Sequence, residues 1–356
     1  MNEINDIRLP KEFIGITFSN FKKTDVRKEL LKSINNNKIE NACNWSAELI
    51  CSGHFADLWE IIIFIIGKNI HLANPKIPIY VDMRFQAFKE IVKNGYINNE
   101  LALRNNEKIR NIFCEVITIL SLSNKKPAFE CVKIANDEFN LTHLTNKFKA
   151  PNTSYALKVF DKDDPKEIFI ALNELIYNLT KKNSNLLECC YWIEWIVEFD
   201  NICRKKKENL TATRRTFAAV DDKFQTNVIW IIWDVFFNLC ESNLIKKKII
   251  TSLLNIFCIK YTLNINKRRR YLLYFVVELL TEKFDDKIQI YNKSDEKLIE
   301  NVKNQIDKIY KHIKKNENAP KTDYLFNNNM SQKENNLKKT IEKIDTMNNI
   351  TFIPRS

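Results

Sequence analysis

Four glycines and eight prolines in 356 residues are too few for a protein built from sheets. Hairpins and tight loops draw on glycine for positive φ and on proline for a preset φ, and a β protein of this length would need many of both. The glycines also stand apart, so no phosphate-cradling loop can be assembled from paired glycines and a following lysine. A Gly-x-Ser-x-Gly elbow and a His-Glu-x-x-His pair are absent as well. With four histidines, a nucleophile–histidine pair is hard to compose. The chain is therefore not expected to be an enzyme, and no cofactor is expected.

Long apolar runs are missing too. Ile61–Ile66 is the longest good candidate, and Val228–Cys240 is interrupted by Asp234; a membrane span needs roughly 20 apolar residues. The N-terminal MNEINDIRLPKEF has no basic stretch followed by an apolar one, so no signal peptide is expected. Nine cysteines, an odd number at irregular spacing and mostly among apolar residues, read as free buried thiols of a reducing compartment rather than a disulfide framework. The expected location is not extracellular.

What is present is a 45% apolar chain with 23 phenylalanines and a net charge of +12. Apolar residues recur at spacings of three and four, the signature of helices that bury one face. The expected fold is all-α: stacked antiparallel helices, as a helical bundle or a short α-solenoid-like array, with a flexible C-terminal tail. Residues 1–25 read as an N-terminal arm, 26–315 as the helical body with a soft boundary near 124–164, and 316–356 as a disordered tail. That tail is too polar to offset its chain entropy, although it carries a short helical stretch and a closing apolar plug at Ile350–Pro354. The stretch 128–164 is the least regular part of the body, where short strands would be no surprise. Asp164-Pro165-Lys166-Glu167 reads as a helix start, with Asp164 as cap and Pro165 in the first turn.

Trp192-x-x-Trp195-x-x-x-Phe199 recurs approximately as Trp230-x-x-Trp233-x-x-x-Phe237, about 38 residues on. This spacing fits a two-helix solenoid repeat, and equally any buried helix face.

Three groups could carry chemistry. Cys43, Cys51 and His54 lie in a C-x7-C-x2-H spacing, a weak metal candidate because zinc wants four ligands in close pairs; Cys131 or His143 would have to complete it. Asp161, Asp163 and Asp164 could bind a cation, but read better as the acidic lead-in to a helix. The strongest group is basic. Arg204, Lys205, Lys206 and Lys207 continue through Thr211 and Thr213 to Arg214 and Arg215, against one acid, Glu208. Lys267, Arg268, Arg269 and Arg270 then precede a helix, where positive charge opposes the dipole. Lysine clusters that end helices, such as Lys181-Lys182 and Lys314-Lys315, are satisfied by the dipole; these two runs ask for a partner. Phosphate contact is one reading, and pairing with acids elsewhere in the protein is the other.

NACNWSAELICSGHFADLWEI (41–61), HLANPKIPIY (71–80), LRNNEKIR (103–110), FDKDDPKEIFIALNEL (160–175), CYWIEWIVEFDNICRKKK (190–207) and RRTFAAVDDKFQTNVIWIIWD (214–234) resemble a conserved but biochemically unassigned protein family of nucleocytoplasmic large DNA viruses, the algal and amoebal giant viruses. The resemblance spans about residues 40–280 and implies a setting rather than a reaction: host cytoplasm or virion. The expectation is a non-enzymatic viral core protein that engages nucleic acid in replication, transcription or packaging, with other viral proteins as partners. The alternative is a virion structural or assembly protein acting through protein–protein contacts.

Overall fold

A computed structural model of the chain describes residues 3–97, 99–180, 185–240, 243–283, 285, 287–318 and 340–341. The Lys181-Lys182 pair and most of the expected tail lie outside the described residues. The fold is all-α. Among the described residues there is no strand, and the single β-bridge joins Ile16 and Lys22. No described helix is long and apolar enough to cross a membrane.

Among the described residues thirteen α-helices succeed one another: α1 (Lys23–Asn35), α2 (Ile39–Cys51), α3 (Phe55–Ile65), α4 (Ile77–Lys93), α5 (Glu107–Leu122), α6 (Leu141–Leu144), α7 (Phe169–Thr180), α8 (Leu186–Lys205), α9 (Ile229–Leu239), α10 (Leu244–Phe257), α11 (Ile265–Arg268), α12 (Arg270–Thr281) and α13 (Glu296–Lys314). The chain forms two compact units, Met1–Ile4 with Arg8–Glu317 and Asn5–Ile7 with Asn318–Ser356. In the smaller, the Ile7 N–H donates to the Asn318 carbonyl at 3.1 Å and the Asn318 N–H to the Asp6 carboxylate at 2.7 Å. The larger holds all thirteen helices and both basic runs.

Helices of the larger unit pack on partners remote in sequence as well as on their neighbours. α2 lies against α1, α5 and α13, α4 against α5 and α10, and α12 against α8 and α10. A solenoid repeat touches only its neighbours; contact of α13 with α2 and of α4 with α10 makes this a bundle. Both tryptophan pairs are core: Trp192, Trp195, Trp230 and Trp233 are all buried, as the plain helix-face reading requires.

Two expectations are corrected. The N-terminal stretch is not a free arm from residue 8 onward. Phe13 and Phe18 are buried, and the Arg8 guanidinium lies 4.9 and 4.6 Å from their ring centroids while donating to the Phe18 carbonyl at 3.0 Å. Three aromatic and cationic groups within eleven residues make a small local core, a pattern that helical periodicity does not detect. The stretch 128–164 holds short 3-10 turns and the single-turn α6 rather than strands.

The segment after α3 sets the position of α12. A π-helical turn, Ile66–Ile70, continues α3 and packs on α12. Gly67 sits where a Cβ would meet Leu272 Cδ2 at 3.1 Å and Tyr271 Cβ at 3.2 Å. Alanine there should therefore push the start of α12 away, costing about 1–3 kcal/mol as overpacking; a Gly67→Ala denaturation midpoint equal to wild type would show that the two helices have slack.

Candidate nucleic-acid interface

The two basic runs meet. α8 ends at Lys205, and Lys207, at φ 64°, turns the chain away in the left-handed region. Just inside that end, Asp200 accepts from Asn227 Nδ2 at 3.5 Å. Asn227 Oδ1 in turn accepts from Asn266 Nδ2 at 3.1 Å, and Asn266 Oδ1 accepts from the Tyr261 hydroxyl at 2.7 Å. This chain ties the last turn of α8 to α11, and the Lys267–Glu198 ion pair ties them again. Tyr261 packs edge-on against Phe224 with centroids 5.5 Å apart, and Lys223 Nζ lies 4.9 Å from the Phe224 ring. Lys223, which sequence reasoning missed because it stands alone among acids, thus lies beside the Tyr261 end of this chain.

The arginines within the runs have different fates. Arg215 is buried at 5% exposure. Its Nη2 donates to Asp164 Oδ2 at 2.6 Å, its Nη1 to Asp164 Oδ1, and Asp161 and Asp234 lie 3.5 and 3.4 Å away. Asp164 is accordingly not a helix cap. Its carboxylate receives Arg215 and the backbone N–H groups of Asp161 and Thr213, both at 2.9 Å. Burial alone would raise its pKa, but the Arg215 hydrogen bonds and those two N–H groups hold it below the ordinary aspartate range. The Asp161 and Asp164 carboxylates therefore face a guanidinium already in place.

Arg269 is buried at 2%. It donates to the carbonyls of Ile256 and Phe257 at 3.1 and 2.7 Å and pairs with Glu60. It closes the C-terminal end of α10, where positive charge is favoured, so its cost at the start of α12 is offset by the neighbouring helix. Arg270 pairs with Glu194 at 2.8 Å and contacts Cys131 Sγ. Neither Arg215, Arg269 nor Arg270 is open to a phosphate, because each guanidinium already donates to a carboxylate inside the fold. Arg204 pairs with Asp200 at 3.1 Å, and the exposed Arg214 with Asp222 at 2.7 Å. Lys205, Lys206, Lys207 and Arg268 are exposed and form no ion pair among the described residues.

Arg270 opens a buried polar stripe that sequence reasoning missed. With Tyr274 and Glu278 it occupies i, i+4 and i+8 of α12, one helix face. The Tyr274 hydroxyl donates to Glu194 at 2.8 Å, His71 Nδ1 is 2.7 Å from Glu278, and Lys126 Nζ donates to Glu278 at 3.1 Å. His71 is fully buried and stacked on Phe275, so the stripe holds helices together rather than meeting a substrate. Burial pushes Glu194 above its ordinary 4.5 against the pull of Arg270 and Tyr274. For Glu278 burial pulls upward too, but His71 and Lys126 win and lower it. The two act oppositely on stability. Glu278 contributes stability that is present above 4.5 and lost as pH falls through its lowered value. Glu194 binds its proton more tightly when folded, so stability declines as pH rises from 4.5 through its raised value. Urea unfolding at a series of pH values should show Glu278→Gln flattening the acid-side loss and Glu194→Gln flattening the decline above 4.5. An unchanged profile in either variant contradicts its assignment.

The metal candidates separate. Cys43 Sγ lies 3.9 Å from the Thr118 hydroxyl and hydrogen-bonds Cys114 inside the α2–α5 contact, whereas the His54 imidazole is committed through Nε2 to the Ile16 carbonyl at 2.8 Å. No group of three or more His, Cys, Asp or Glu side chains that could hold a metal ion occurs among the described residues.

The described residues thus define an all-helical protein with exposed cations at the end of α8 and on α11. No family model, curated protein or solved structure matches the chain.

Proposed function

We propose that the protein is a non-enzymatic nucleic-acid-engaging protein, a core component of a large DNA virus acting in the host cytoplasm or virion, and that its phosphate contacts are Lys205, Lys206, Lys207 and Arg268. The viral setting rests on the sequence resemblance alone. The binding role rests on one observation: two runs more than fifty residues apart in sequence are tied together by the Asp200–Asn227–Asn266 chain and the Glu198–Lys267 pair, leaving four exposed cations that form no ion pair among the described residues. Glu198 is held below its ordinary range; burial opposes this, and the Lys267 hydrogen bond outweighs it. Exposed cations on elements tied together in this way attract a polyanion and release its counterions on binding.

The test is fluorescence anisotropy of a labelled duplex across a salt series. Replacing Lys205, Lys206, Lys207 and Arg268 by alanine should weaken binding and flatten the log K against log salt slope by about 3–4, at about 0.9 per phosphate contact. A variant with wild-type affinity and slope sinks the assignment. Arg204→Ala, which breaks an internal pair, should flatten the slope far less.

A second reading, assembly through protein contacts, is favoured by the exposed Leu9, Ile14 and Phe21 within one short N-terminal segment. High copy number in purified virions would support it, and absence from virions would dismiss it.

A further inference from the structure

Beside Arg268 opens a cleft of about 720 Å³ between α3, α4 and the segment that runs from the end of α10 into α11. That volume lies within the roughly 300–1,000 Å³ of ligand clefts. The wall formed by α3 and α4 is aromatic. Phe55 and Trp59 are buried, Phe85 and Phe88 are half-buried, and all four line the cleft. Trp59 meets Phe85 edge-on at 5.0 Å and Phe88 at 5.6 Å, which fixes the rings as a rigid platform. The Trp59 indole, 3% exposed, makes no hydrogen bond through Nε1 among the described residues.

The rim carries a surplus of positive charge. Asp57 is paired with Lys23 at 3.0 Å and Glu60 with Arg269. Lys89, Lys260 and Arg268 form no ion pair among the described residues, against Glu100 alone among the acids. Lys260 directly precedes Tyr261, whose ring packs on Phe224 beneath Lys223, and Ala219, just past the first basic run, lines the same cleft. The cleft therefore shares Arg268 with the exposed cations named above.

Aromatic rings that end in a row of cations match one occupant well: a single strand of nucleic acid, whose backbone tracks the cations while unstacked bases lie on the rings. A duplex keeps its bases stacked and paired and cannot offer them. We infer that this cleft receives bases of single-stranded nucleic acid, with Phe85 and Phe88 as the stacking platform and Lys260 and Arg268 on the flanking phosphates. The inference rests on the polyanion reading of the exposed cations and names its substrate class.

The deciding probe leaves the protein unaltered. A single-stranded oligonucleotide and an abasic strand of the same length carry the same phosphates and differ only in bases. The full chain should bind the former about tenfold or more tightly, the scale of stacking one base on an aromatic side chain. It should also prefer it to the matching duplex. A Phe85→Leu, Phe88→Leu variant, which keeps the wall apolar, should lose the preference for bases yet bind heparin as wild type does. Equal affinity for normal and abasic strands overturns the cleft assignment while leaving phosphate contact intact, and the four-cation variant still weakens both. Binding to duplex but to neither strand overturns the cleft assignment alone, and no binding to strand or duplex overturns both readings. A cleft that takes a long-chain carboxylate in wild type and not in the leucine variant, with no discrimination between strands, would assign it to an acyl ligand instead.

Discussion

Replacing Arg215 by methionine should destabilise the protein by about 3–5 kcal/mol, the scale of removing one partner from a buried ion pair. The reason lies in what remains. Asp164 has a side chain with no solvent exposure, and Arg215 supplies two of its hydrogen bonds. Without the guanidinium, Asp164 keeps the N–H groups of Asp161 and Thr213 but must hold its charge in the interior or take up a proton. Asp234, which burial pushes upward and Arg215 pulls back, would lose its counter-charge as well. The methylenes of methionine preserve packing, so the loss reports the pair and not a cavity. Combining Arg215→Met with Asp164→Asn should recover part of it, since no uncompensated charge is then buried. Urea unfolding of the two single variants and the double variant measures this cycle; an Arg215→Met variant within 1 kcal/mol of wild type would show that Asp164 finds water.

The fold class was legible because it depends on composition and period. Scarce glycine and apolar spacing of three and four admit little besides packed helices, and tryptophans at such spacing end up inside whichever helix carries them. The candidate site was legible in part. The unusual arginine density was visible, and so was the choice between phosphate and internal acid. The outcome was not, because each partner is remote in sequence: Arg215 meets Asp164, Arg269 meets Glu60 and Arg270 meets Glu194. A signal existed on the acids' side. Glu60 in LWEIII, Glu194 in WIEWIV, Asp234 in IWDVFF and Glu278 in VVELLT are single carboxylates inside apolar runs. A lone acid there is expensive to bury unless a cation comes to it. Matching lone buried acids with helix-opposing arginines would have split the runs into internal and external members before any coordinates. The packed stretch from Arg8 to Phe18 was illegible for a different reason: its order comes from guanidinium–ring contact within a loop, which has no period.

Within one arginine run, neighbours separated by a single peptide bond should respond in opposite ways. Arg269→Met should cost about 3–4 kcal/mol. It removes the donors of two buried carbonyls at the end of α10, each about 1–3 kcal/mol when left unpaired, and strips Glu60 of its partner. The Glu60 part is the smaller, because that carboxylate keeps contact with solvent. Arg268→Met should stay within about 0.5 kcal/mol, as for an exposed side chain with no ion pair among the described residues. The order reverses for nucleic acid. Arg268→Met should weaken binding and flatten its salt dependence, whereas Arg269→Met, measured at a temperature where it is folded, should bind as wild type does. Denaturation and anisotropy on the same two proteins therefore separate the roles. Should both substitutions lower stability alike, Arg268 is structural and the rim of the cleft loses its cation. Should both weaken binding with an equal change in salt slope, the Arg269 guanidinium reaches phosphate after all, and the internal pairing with Glu60 does not persist in solution.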